Sequence, residues 1–163
     1  MRTLIALTLG IAAIAPAPAS ADLYFIPAPP TSAPVVFSRY LFDGFGGTTD
    51  HLETLYADGT FTIRDNGETW LVTRIDPHVS GWFGLVLRGS GFLEMDGYDL
   101  SSRLGGVEVI LQAFGGGVTA HYTRARDVFV RPPIAEVEEA FDYVALHAIT
   151  VWSASLAAHE DPQ

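Results

Sequence analysis

Residues 51–75 alternate apolar and polar side chains around two dipeptides that favour two-residue hairpin turns, Asp58-Gly59 and Asn66-Gly67. A two-residue turn at the first pairs Tyr56 with Phe61, Thr54 with Ile63 and Glu53 with Arg64. The same turn at the second pairs Asp65 with Glu68, Ile63 with Trp70 and Phe61 with Val72. Both turns predict one half-buried antiparallel meander. Leu52, Tyr56, Phe61, Ile63, Trp70 and Val72 face a core, while Glu53, Thr60, Thr62, Arg64, Thr69 and Thr73 face water, with Leu55 and Leu71 as exceptions. On this register an aspartate replacing Phe61 or Ile63 unfolds the protein, and one replacing Thr62 is tolerated.

Further apolar runs at 35–42, 82–88, 92–96, 107–114, 118–124 and 127–130 are separated by glycine-rich breaks, among them Gly89-Ser90-Gly91, Gly97, Gly105-Gly106 and Gly115-Gly116-Gly117. The spacing predicts a mainly β fold, an antiparallel β-sandwich or closed barrel of about eight strands, with a C-terminal helical segment over 133–158. No fixed period of self-similarity points to a solenoid or propeller. In the C-terminal segment Pro132-Pro133 can open a helix whose first turns carry Glu136, Glu138 and Glu139. Ile134, Val137, Phe141, Val144, Ala148, Val151 and Trp152 then form a stripe at helical spacing. Leu146 and Ile149 fall on the opposite face, and the β-branched and aromatic content of 143–152 also suits a central strand. The helical reading is preferred.

The N-terminus carries a different pattern. Arg2, an apolar run over 4–15 and the small residues Ala19-Ser20-Ala21 occur in the order of a secretory signal peptide, with cleavage expected before Asp22. The run is shorter than the ~20 residues a bilayer span needs. Residues 22–34 hold four prolines and read as an extended lead-in to a single domain over 35–163. Secretion or export to a periplasm is the expected location, with no membrane span in the mature chain.

Composition narrows the function classes. The chain has 163 residues, 9 basic residues (all arginine) against 19 acidic ones, and a net charge of −10, which repels phosphate backbones and argues against nucleic acid as a partner. The absence of cysteine excludes a thiol nucleophile, cysteine-ligated zinc, iron–sulfur clusters and disulfide staples. Stability must therefore come from core burial, for which a hydrophobic fraction of 48% is ample.

Candidate chemistry is sparse. Ser90 lies in Gly89-Ser90-Gly91, which lacks the spacing of a nucleophile elbow and reads as a turn between strands. His51, His78, His121, His147 and His159 occur singly, without the spacing that places two nitrogens on one metal. Glu94, Asp96 and Asp99 surround Gly97 and offer oxygen ligands to calcium, but without the twelve-residue loop of a calcium-binding helix pair, so the expectation is no metal and no cofactor. Gly115-Gly116-Gly117 reads as a hairpin turn rather than a phosphate cradle. Arg124, Arg126 and Arg131 form the one basic cluster and are expected to compensate nearby carboxylates. Trp82 and Tyr98 are the aromatic side chains best placed to meet a ligand. No catalytic residue is assigned. The expected function is a non-enzymatic binding or envelope role with an unidentified protein partner. The alternatives are a binder of an apolar or carbohydrate small molecule and a hydrolase with a dispersed site.

Overall fold

The computed structural model describes residues 30–43, 50–95, 98–100, 107–115, 118–125 and 130–160. Its strands are β1 (Val35–Asp43), β2 (Asp50–Tyr56), β3 (Thr60–Asp65), β4 (Glu68–Arg74), β5 (Tyr98–Leu100), β6 (Val107–Gly115) and β7 (Val118–Ala125). Its helices are α1 (Pro77–Gly89) and α2 (Pro132–Glu160), with a 3-10 turn at Phe92–Glu94. Six strands form one antiparallel sheet in the order β4-β3-β2-β1-β6-β7, and β5 adds a short parallel pairing on the outer side of β7.

The fold is therefore α+β, and the expected sandwich or barrel is not what forms. Residues 82–88, read as a strand, belong to α1, and 92–94 of the strand expected over 92–96 form a 3-10 turn. Residues 127–129 of another expected strand lie outside the described residues. The sheet's apolar face is covered by two helices instead of a second sheet, so the sheet stays open. The start of α1 was written in Asp76-Pro77-His78: the Asp76 side chain accepts the His78 N–H at 2.7 Å, and Pro77 occupies the first turn. Gly81, Gly84 and the contiguous apolar run 82–87 obscure that helix in the sequence. Gly89-Ser90-Gly91 ends it. Ser90 is the C-cap and Gly91 takes φ 80°, so the serine marks a helix end, not a strand-to-strand turn.

The meander forms with its register corrected by one residue at two places. The Asp58-Gly59 hairpin uses a three-residue loop, Ala57 to Gly59, with Gly59 at φ 82° and its N–H donating to the Tyr56 carbonyl at 3.0 Å. Leu55 thus faces Phe61, and Glu53 faces Ile63 rather than Arg64. Asn66-Gly67 makes the expected two-residue turn, φ 49° and 82°, pairing Asp65 with Glu68. A bulge between Ile63 and Arg64 then brings Leu71, not Trp70, opposite Ile63. Phe61 and Ile63 are core residues as expected. Leu55 and Leu71 join them, whereas Leu52, Tyr56 and Val72 point to the other side and Trp70 rests edge-on against Trp152.

An aromatic cluster fills the layer between sheet and helices. Phe37 of β1 meets Phe83 of α1, Phe92 and Phe141 of α2 at centroid distances of 5.2, 6.0 and 4.6 Å. The expected stripe of α2 supplies Ile134, Val137, Phe141, Val144 and Ala148 to this core, and Leu146 and Ile149 are exposed as their opposite phase requires.

Candidate functional site

Strand alternation should put apolar residues on the helix-facing side of the sheet, yet on β1, β2 and β3 four charged or titratable residues occupy that side toward one end. In β1 Arg39 lies between Phe37 and Leu41. In β2 His51 and Glu53 share the face of Leu55, and in β3 Asp65 follows Ile63. Cross-strand register sets Arg39 opposite Glu53 and His51 opposite Asp65. Arg39 Nε donates to Glu53 Oε2 at 2.5 Å and Nη1 to Asp142 Oδ1 of α2 at 2.5 Å, and the guanidinium lies 5.2 Å from the centre of the Phe141 ring. His51 Nδ1 is 2.5 Å from Asp65 Oδ1 and its Nε2 is 3.3 Å from Glu53 Oε1. On β7, Arg124 donates to Glu138 of α2 at 2.6 Å. Arg39, Leu41, His51, Val109, Arg124, Glu138 and Asp142 line a cavity of about 280 Å³.

Each partner shifts the others. The hydrogen bond to Glu53 raises His51 above its ordinary value; burial opposes this, and Asp65 adds to the rise. Burial pushes Glu53 upward, but His51 and Arg39 together outweigh it and hold the carboxyl below its ordinary value. Burial also pulls Arg39 down, and Glu53 and Asp142 more than reverse that. The result is an imidazole ring with a carboxylate at each nitrogen, an arrangement that favours its protonated form. A general base needs a nitrogen free to take a substrate proton, and this geometry offers none. The network clamps three strands and, through Asp142, the long helix. Sequence reasoning missed it because the two-residue turn placed Glu53 on the solvent side. The signal was Arg39 at i+2 from Phe37 and i−2 from Leu41, a charged residue on a face of β1 otherwise apolar at those positions.

Trp82 lies on α1, and Glu94 is exposed at the end of the 3-10 turn. Asp96 lies outside the described residues, and Tyr98 and Asp99 are described as backbone of β5 only. Among the described residues no cluster of His, Asp and Glu is arranged to hold a metal ion. His78 stands exposed in the first turn of α1, His121 meets Thr123 at 3.0 Å, and His147 accepts the Asp76 N–H at 3.5 Å. Arg124 compensates Glu138 as expected of the basic cluster, while Arg126 is outside the described residues. No helix among the described residues is long and apolar enough to cross a membrane.

The outer surface of the helical layer carries a second feature. Trp82 and Leu85 of α1, and Tyr143 and Leu146 of α2, are exposed large apolar side chains, Leu85 and Leu146 at 64% and 63%. Each pair is spaced i, i+3 on its helix, and Trp82 meets Tyr143 edge-on at 5.4 Å across the groove between them. Two shallow cavities flank this contact. One, of about 350 Å³, is bounded by His78 and Val79; the other, of about 460 Å³, by Val86, Glu136, Glu139 and Ala140. A scan of protein-family models and a search of curated proteins found no match to the chain.

Proposed function

We propose that this is an exported, non-enzymatic binding domain that docks a protein partner on the outer surface of α1 and α2. The observation that carries the reading is the set of Trp82, Leu85, Tyr143 and Leu146, four large apolar side chains left in water on two helices that also supply Phe83, Leu87, Phe141 and Val144 to the core. Aromatic anchors on a rigid surface are the usual centres of binding energy. Glu136 and Glu139 border the groove, so the partner's complementary surface is apolar at its centre and basic at its rim. Export rests on the signal-peptide pattern of residues 1–21. The doubly held His51 lends no support to a hydrolase.

The test is binding by the mature chain to the partner that photo-crosslinks from position 85 in the exporting host. Once that partner is purified, L85E and L146E should each weaken its binding about tenfold or more, with melting temperatures unchanged because both residues are exposed. Full affinity in the L85E/L146E double variant would overturn the assignment. Mass spectrometry of the exported protein checks the cleavage, with Asp22 expected at the N-terminus.

A further inference from the structure

We propose that the face of the sheet turned away from α1 and α2 carries a saccharide-binding groove, on the side opposite the helical docking surface. Register brings its walls together. Tyr40 pairs with Leu52 on one side and Ile110 on the other, and Phe42 sits between Asp50 and Glu108. Arg64 pairs with Leu52 from β3. All these side chains alternate with Phe37, Leu55 and Leu111 of the core, so they project away from the helices. They bound a groove of about 530 Å³, within the range of small-molecule sites.

The chemistry of the lining identifies the ligand class. The Tyr40 and Phe42 rings stand side by side, centroids 5.8 Å apart and inclined by 24°, forming an apolar wall suited to the C–H face of a sugar ring. On the adjoining strands, Asp50 Oδ1 and Arg64 Nε are buried and have no hydrogen-bond partner within the protein. One is an acceptor and the other a donor, and burying either unpaired is costly. An amine would satisfy Asp50 and leave the Arg64 N–H unmet. An anion would satisfy Arg64 but meet Asp50, Glu108 and a chain of net charge −10. A neutral polyol satisfies both, one hydroxyl donating to Asp50 Oδ1 and another accepting from Arg64 Nε, once each side chain turns its closed-off atom toward the groove. Gln112, at the groove's edge, adds an amide that both donates and accepts.

Maltose, cellobiose and N-acetylglucosamine are the probes, titrated into the ¹⁵N-labelled mature protein, with benzylammonium as the competing chemistry. At least one sugar should give saturable shifts at the amides of Tyr40, Leu52 and Ile110, with Kd of about 0.1–10 mM, and leave Trp82 and Tyr143 unmoved. F42A and R64Q should each weaken that binding about tenfold, and the amide spectrum of each variant reports directly whether it is folded. Conservation of wild-type affinity in both folded variants would overturn the proposal. So would the absence of saturable groove shifts with all three sugars at about 50 mM, shifts confined to the helices, or tighter binding of benzylammonium.

Discussion

Arg39 and Asp142 are separated by 103 positions in the chain and meet at 2.5 Å, tying the central strand β1 to the long helix α2. The two ends of the contact differ in environment. The Arg39 side chain is 15% exposed and also holds Glu53, which is 7% exposed, whereas Asp142 is 65% exposed. Arg39→Ala should therefore destabilise the protein by about 3 kcal/mol, because it leaves the buried Glu53 carboxylate with His51 alone of its two cationic partners. Asp142→Ala should cost about 1 kcal/mol or less, as an exposed ion pair does. Urea unfolding of both variants measures the contrast, and equal losses would contradict it.

His51 makes the same network sensitive to pH. Its folded value is raised above the ordinary 6.5, so the stability it contributes is complete below about pH 6.5 and is lost as pH rises through the raised value. Glu53 is lowered from 4.5, so its contribution is present above about pH 4.5 and is lost as pH falls through the lowered value. Melting temperature should accordingly be highest in mildly acidic solution and decline from neutral pH upward. His51→Gln should remove the alkaline decline while keeping the loss at low pH. A wild-type profile that climbs steadily from pH 6 to 9 would show that His51 is not held as an imidazolium.

The meander gives a second contrast between neighbours. Leu71 is fully buried and Val72 is 48% exposed, although both belong to one apolar run. Leu71→Asp should cost upwards of about 4 kcal/mol, and Val72→Asp less than about 1 kcal/mol. The expected tolerance at Thr62 does not survive, because that residue is buried at 6% and faces Thr54 across the ladder. Expression yield and thermal melting of the two valine and leucine variants decide the register. A reversal of their order would mean that β4 runs without the bulge at Trp70.

The sequence carried the β2–β3–β4 meander, the β6–β7 hairpin and the helical stripe of α2, because each is written as local periodicity or turn chemistry. It did not carry the second layer. A run such as Trp82-Phe83-Gly84-Leu85-Val86-Leu87 is apolar at nearly every position, and periodicity cannot separate a strand from a helix there. Nor did alternation reveal the polar network. One added residue in the Ala57-Asp58-Gly59 loop and one in the bulge at Trp70 reverse the faces of β2 and β4, and with them Glu53. The exposed apolar set on the helices was half legible: Leu146 fell opposite the buried stripe, while Leu85 depended on recognising α1.

Those two irregularities make the turn glycines unequal. Gly59 and Gly67 both take φ 82°, where a Cβ is strained by about 1–2 kcal/mol in any residue. A Cβ on Gly67 would meet nothing within 4 Å, but one on Gly59 would lie 3.4 Å from the Ile75 carbonyl oxygen, whose strand end is anchored by the Ile75 N–H donating to the Gly59 carbonyl at 3.0 Å. Gly67→Ala should therefore cost about 1 kcal/mol, the backbone strain alone, and Gly59→Ala should cost more, about 2 kcal/mol. Gly67→Asn should recover part of the loss, since asparagine tolerates the left-handed region better than alanine. Chemical unfolding of the three variants ranks them. A Gly59→Ala protein as stable as wild type would mean that the loop is not the three-residue turn on which the register of β2, and the position of Glu53 beside Arg39, depends.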